Sequence, residues 1–199
     1  MTNDQKVRTA DDLQRVVSTL AREFNTDTIF IIGSQAILML WPEAPTQLRG
    51  SLDIDAYPSN AREWEKSKNR PGDDFTSEAS EHIEAHFGFG SNFHKTNGFF
   101  IDGVDETTAK LPKGWNTRAI VCLFDVDGRA IRAIAPAPED LIVSKLARLK
   151  SRDKEFVEIY HRERPLDLNV IEQRIKDTDL ELAVAEQAIS FIKWLGRSA

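Results

Sequence analysis

A continuous β-branched and aromatic run, Thr28-Ile29-Phe30-Ile31-Ile32, ends in Gly33-Ser34, and further on the chain reads Arg49-Gly50-Ser51-Leu52-Asp53-Ile54-Asp55. The first run predicts a buried strand that opens through a glycine into a short helix. In the second, alternate side chains of a strand share a face, so Asp53 and Asp55 point the same way while Leu52 and Ile54 pack behind them. Two carboxylates so placed repel, and without a cation at least one should hold its proton more tightly than usual. A divalent ion removes that conflict; Mg²⁺ commonly enters a site through one or two carboxylates plus substrate phosphates. Gly33-Ser34 offers the complementary half, free N–H groups at the mouth of a helix, where a phosphate can sit.

A chain of 199 residues makes one domain, or one domain with a helical appendage, large enough for a true core. The single cysteine, Cys122, lies in an apolar run and excludes a disulfide framework. No apolar stretch approaches the length of a membrane span and the polar start is no signal peptide, so the expected location is cytoplasmic. The formal charge of −6 argues against broad, salt-driven nucleic-acid binding and leaves room for a local basic patch.

Thr9 and Asp12 resemble a capping box ahead of Leu13, Val16, Val17, Leu20 and Phe24 at helical spacing, a helix that should end near Asn25. Ser34 to Leu40 suits a short helix, and the aspartate strand should stop at Pro58. Residues 59–87 read as partly helical with a turn at Pro71-Gly72, and Phe99-Phe100-Ile101 reads as a strand. Segments 119–124 and 129–134 flank Asp127-Gly128, a strong hairpin signal. Helices are expected over 138–162, 168–176 and 178–195. The expected class is thus α/β (α+β): a small mixed sheet flanked by helices over 1–137, then a C-terminal helical region over 138–199 that completes the site.

On a helical wheel Leu141, Ile142, Leu146, Leu149, Phe156 and Val157 share an apolar arc that also contains Lys145 and, if the helix is unbroken, Asp153. Inward charges need a reason, because burying one unpaired is costly. Eight residues of helix would hold the two roughly 12 Å apart, beyond a direct pair, so either each finds another partner or Lys145 faces phosphate while Asp153 faces metal or substrate.

Gly-Ser, a short helix and Asp-x-Asp together resemble the signature of the nucleotidyltransferase superfamily. The segment Arg49 to Asp55 is similar to the abortive-infection (AbiE-type) toxin branch, with Ser51 where that branch has threonine. The run Glu139-Asp140-Leu141 through Lys145-Leu146 to Arg152-Asp153 resembles a motif of bacterial toxin-like nucleotidyltransferases. There Lys145 takes the place of the phosphate-contacting lysine, Asp153 that of a third functional acid, and Lys150 and Arg152 those of a basic pair. Ser91 to Val104, Gly114-Trp115 and Arg118 resemble an uncharacterised branch of the same superfamily.

The resemblance implies a transferase that moves a nucleotidyl group from a nucleoside triphosphate to an acceptor and releases pyrophosphate. Asp53 and Asp55 would hold Mg²⁺ or Mn²⁺, and Gly33, Ser34, Lys145 and Arg152 would hold the nucleotide. It also implies a bacterial toxin of a toxin–antitoxin pair, with a cognate antitoxin as partner and tRNA or a protein hydroxyl as acceptor. Alternatives are a small-molecule, aminoglycoside-type nucleotidyltransferase and a non-catalytic binding module. Asp125 and Asp127 are reserve metal acids, though Asp127-Gly128 reads better as a turn. His82 and His86, at i and i+4, lack the neighbours of a zinc helix. His94 is divided between loop capping and substrate contact, Trp41, Trp115 and Trp194 read as core or edge aromatics, and the basic run 148–164 reads as a solvated face that in part could guide RNA.

Overall fold

The computed structural model describes residues 7–69 and 77–198; the expected turn at Pro71-Gly72 lies outside the described residues. Helix α1 (Ala10–Phe24) begins with the expected capping box. The Thr9 hydroxyl accepts from Asp12 N–H at 3.2 Å, and the Asp12 carboxylate accepts from Thr9 N–H at 3.1 Å. It ends at Asn25, left-handed at φ 48°, a conformation asparagine tolerates. Leu13, Val16, Val17, Leu20 and Phe24 form its buried stripe against the sheet.

Among the described residues five strands form one sheet in the spatial order β3-β2-β1-β5-β4: β1 (Thr28–Ile31), β2 (Asp53–Pro58), β3 (Phe100–Gly103), β4 (Ile120–Val126) and β5 (Arg129–Ala135). β1 runs antiparallel to β2 and parallel to β5, while β2 and β3 are parallel, so the sheet is mixed. β4 and β5 form the expected hairpin, turning through Asp127 and Gly128 at φ 57° and 78°, two successive positive values as a type I′ turn requires. Strand pleat divides β2 cleanly. Ile54 and Ala56 are fully buried on one face, and Asp53, Asp55 and Tyr57 occupy the other. Tyr57 joins Ile32 and Val104 in a second, smaller apolar cluster beside the acids.

Helices α3 (Ala61–Lys68) and α4 (Ala79–Phe87) occupy the stretch expected to be partly helical, and α5 (Asn92–Asn97) and α6 (Trp115–Arg118) are short additions. α4 packs on β3, where Gly103 lets the Ser80 carbonyl come so near that a Cβ would sit 2.2 Å from it. The C-terminal part holds α7 (Pro138–Leu146), α8 (Ser151–Glu163), α9 (Leu168–Lys176) and α10 (Leu182–Ser198).

Two expectations need correction. The single helix over 138–162 is two helices, because Leu149 adopts a left-handed backbone at φ 50° and turns the chain between Leu146 and Ser151. For a non-glycine residue that conformation costs of order 1–2 kcal/mol, offset here by Leu149 packing on the core and by Arg148 reaching Asp153. The last helix starts at Leu182 rather than 178, since Thr178 turns its hydroxyl back to the Arg174 carbonyl and closes α9.

Candidate active site

The loop before β2 is fastened by the residues that make the sequence motif distinctive. Arg49 donates from Nε to the Ala44 carbonyl at 2.6 Å and from Nη1 to the Arg8 carbonyl at 3.3 Å. The Ser51 hydroxyl donates to Asp53 Oδ1 and so fixes that carboxylate. Arg49 is thus a loop clasp and Ser51 an orienting hydroxyl, while the acids themselves stand at the start of β2.

Asp53 and Asp55 do share a face, and the sheet adds a third acid. In the parallel pairing of β2 with β3, Asp55 lies opposite Asp102, and one oxygen from each of Asp53, Asp55 and Asp102 falls within 4.8 Å of the others. The strand expected from Phe99-Phe100-Ile101 stops one residue short of this acid; the same alternation continued past Ile101 reaches Asp102. The pKa rise expected for one of the pair falls on Asp55, pushed up to about 6, first by burial and then by Asp53 and Asp102. Burial, Glu84 and Asp53 also raise Asp102. Three hard oxygen donors held together against their own repulsion suit Mg²⁺ or Mn²⁺.

Gly33 forms the floor of this cluster. Its backbone, at φ 68° and ψ −162°, is one that only glycine adopts readily, and a Cβ there would stand 1.7 Å from Asp55 Oδ2. Replacing Gly33 with alanine is therefore expected to displace Asp55 and to cost about 3 kcal/mol or more, combining backbone strain with the clash. Thermal melts together with a Mg²⁺ titration check both effects. The expected helix from Ser34 is a 3₁₀ turn (Ser34–Ala36) running into one α turn, α2 (Ile37–Leu40). So short a helix has little macrodipole; what it offers a phosphate is the backbone of the turn, which has no side-chain cap.

Lys145, at the end of α7 and 2% exposed, reaches this turn and donates from Nζ to Ser34 Oγ at 2.6 Å. Burial, then Arg148, lowers its pKa to about 8 against the opposing pull of Asp153, Asp55 and Asp53. The break at Leu149 brings Asp153 to 3.8 Å from Lys145 Nζ, so the two charges that an unbroken helix would separate form an ion pair. Arg148 donates to the same Asp153 oxygen at 2.6 Å, and Oδ2 of Asp153 is buried without a hydrogen-bond partner among the described residues. Asp153 stands behind the lysine and is not among the clustered acids. Arg152 lines a neighbouring cleft with Ser34, Ser51 and Phe156.

The reserve acids are accounted for elsewhere. Asp127 takes two hydrogen bonds from Arg22, at 2.8 and 2.9 Å, and Asp125 accepts from Gly128 N–H inside the hairpin turn. His82 bonds Glu23 at 2.7 Å, and His94 caps its loop by accepting from Gly90 N–H. Arg118 forks onto the fully buried Asp140 at 3.2 and 2.9 Å, and Arg174 reaches the same carboxylate at 3.3 Å, so the two arginines brace α7. In the basic run, Arg164 lies over the Trp41 ring and Lys154 over Phe191, which gives both a packing role.

Among the described residues no helix is long and apolar enough to cross a membrane. No curated protein and no solved structure matches the chain. A protein family does match, over residues 11–194, and that span takes in every strand and all the residues of the site. The chain belongs to the family described as nucleotidyltransferase of unknown function (DUF6036).

Proposed function

We propose that this protein transfers a nucleoside monophosphate from a nucleoside triphosphate to a hydroxyl acceptor with release of pyrophosphate. The observation that carries the reading is the convergence of three carboxylates, Asp53, Asp55 and Asp102, on the Gly33-Ser34 turn that Lys145 also reaches. Asp53, Asp55 and Asp102 would hold a divalent ion, whose chemistry is to polarise the phosphoryl group under attack and to lower the pKa of the acceptor hydroxyl. Ser51 keeps Asp53 turned toward that position, and Gly33 gives Asp55 the room to approach it.

Lys145 supplies a fixed positive charge at the Ser34 turn, set in place before substrate arrives. Asp153 keeps the ammonium aimed from behind, and its unpartnered oxygen holds a further hydrogen-bond capacity close by. Asp153 is accordingly a positioning residue for the lysine rather than a third metal acid. With Asp102 filling that place, the proton of the acceptor hydroxyl goes to a carboxylate of the triad or to solvent.

For the acceptor we favour RNA such as tRNA, with a protein hydroxyl as the second macromolecular class. The support is the resemblance of Arg49 to Asp55 to the AbiE-type toxins and the exposed Arg148 and Arg152 beside the site. The toxin role, and the cognate antitoxin it calls for, rest on the same resemblance.

Label transfer tests the whole reading. Protein is incubated with Mg²⁺ or Mn²⁺, each common ribonucleoside triphosphate labelled at the α-phosphate, and either total bacterial tRNA or a cell extract. The Asp53→Ala/Asp55→Ala variant runs alongside. Labelled RNA that disappears in the variant is the expected result, and label on protein would replace tRNA by a protein acceptor. The absence of any variant-sensitive transfer, to macromolecules or to small acceptors, would overturn the reading.

A further inference from the structure

Beside the acid cluster, between the 46–51 loop and α8, lies a cleft of about 500 Å³ lined by Ser34, Gln35, Gly50, Ser51, Arg152 and Phe156. That volume suits a small organic ligand. Ser34 and Ser51 are shared with the acid and lysine machinery, so a molecule whose phosphates meet that machinery would extend its remaining part into this space.

Gln35 is the unusual residue in the wall. It is fully buried at the first turn after β1, and neither its Oε1 nor its Nε2 has a hydrogen-bond partner among the described residues. A buried donor or acceptor left unmade costs about 1–3 kcal/mol, and native structures rarely carry such a group without a reason. An apolar residue of the same shape would fill the site at no such cost. A ligand that bonds this amide would satisfy atoms that the packed protein leaves without a protein partner.

The pair of orphaned atoms says which part of a ligand they serve. Phosphate oxygens under neutral conditions accept hydrogen bonds and could satisfy only Nε2. Oε1 needs a donor, so the complementary group must present a donor and an acceptor side by side, as nucleobase edges and ribose hydroxyls do. Phe156, at 7% exposure, adds an aromatic surface to the same cleft.

We infer that Gln35 is the specificity-determining residue for the nucleoside part of the donor. A rotation of its side chain brings the amide to the cleft surface to form a paired hydrogen bond with base or ribose. The inference rests on the nucleotide reading of the adjoining site and adds to it the place where the nucleoside is recognised.

The test compares wild type with Gln35→Met, which keeps the length of the side chain and removes both polar atoms. Calorimetry in Mg²⁺ measures the four ribonucleoside triphosphates and, as a probe without a nucleoside, inorganic tripolyphosphate; a melting curve is taken without ligand. The expected result is a loss of about tenfold to a hundredfold in affinity for the preferred nucleotide. Tripolyphosphate affinity stays within about twofold, and the melting temperature is equal or higher because the orphaned amide is gone. Gln35→Leu is measured in parallel in case methionine disturbs the packing. Equal nucleotide affinity in wild type and variants overturns the assignment, as does a parallel loss for nucleotide and tripolyphosphate. A wild-type protein that binds neither ligand overturns the nucleotide reading itself, and this inference with it.

Discussion

Asp55→Asn is expected to abolish nucleotidyl transfer and, in the absence of divalent ions, to make the protein more stable at neutral pH. The opposite signs come from one cause. The fold holds the Asp55 carboxyl up to about 6, from an ordinary 3.8, chiefly by burial and then through Asp53 and Asp102. A tenfold change in an ionisation constant is worth about 1.4 kcal/mol, so keeping this carboxyl ionised at pH 7 works against folding by up to about 3 kcal/mol. Partial exposure brings the realised figure nearer to about 1–2 kcal/mol.

The sign follows from proton counting. Between pH 4 and 6 the native state binds more protons than the unfolded chain, so wild-type stability falls as pH rises through that window. The amide variant has no such loss. Melts of the two proteins should coincide near pH 4 and diverge by a few degrees at pH 7, the variant melting higher. Adding Mg²⁺ should then raise the wild-type melting temperature and leave the variant unmoved, because only a folded site that binds the ion gains from it. A variant that melts lower than wild type at pH 7 would show that Asp55 is a structural carboxylate and not a repelled ligand.

Lys145→Met is expected to lower kcat by about 10²–10³-fold, the usual effect of removing one preorganised electrostatic donor. Lys145 is 2% exposed, and its Nζ is shared between Ser34 at 2.6 Å and Asp153 at 3.8 Å. With its pKa lowered to about 8, mainly by burial, it carries its proton below pH 8 and loses it above. The kcat/KM profile of wild type should therefore fall on the alkaline side near pH 8, and the residual activity of the methionine variant should lack that limb. Lys145→Arg should not restore activity, because a planar guanidinium does not fit a slot shaped for a point charge behind Ser34. Asp153→Asn should shift the alkaline limb to lower pH, since the carboxylate supports the charged amine. An unchanged limb would remove Asp153 from the role of positioning residue.

Local sequence rules were enough for α1, the hairpin of β4 and β5, and the facing of Asp53 and Asp55. Each depends on contacts within a few residues: a capping box, an Asp-Gly turn, the pleat of one strand. Asp102 was less legible because its role depends on which strand lies beside β2, a pairing across distant parts of the chain. The break at Leu149 was illegible for a different reason. Neither glycine nor proline marks it, and a leucine is driven into a left-handed backbone by tertiary contacts that no local pattern records. That one residue decides whether Lys145 and Asp153 are strangers or partners. Gln35 carried no signal at all, because an orphaned amide is visible only once its surroundings are packed.

The order of the site residues along the chain also bears on synthesis. Gly33, the aspartates of β2 and Asp102 of β3 precede Lys145 and Asp153 along the chain and so leave the ribosome before them. β5, which pairs with β1 in the middle of the sheet, separates these two groups in sequence. A nascent chain thus carries the acids well before it can carry the lysine, and the central strand pairing that would hold them is itself late. The ion pair of Lys145 with Asp153, and the lysine's reach to Ser34, can form only once α7 and α8 have both emerged and docked.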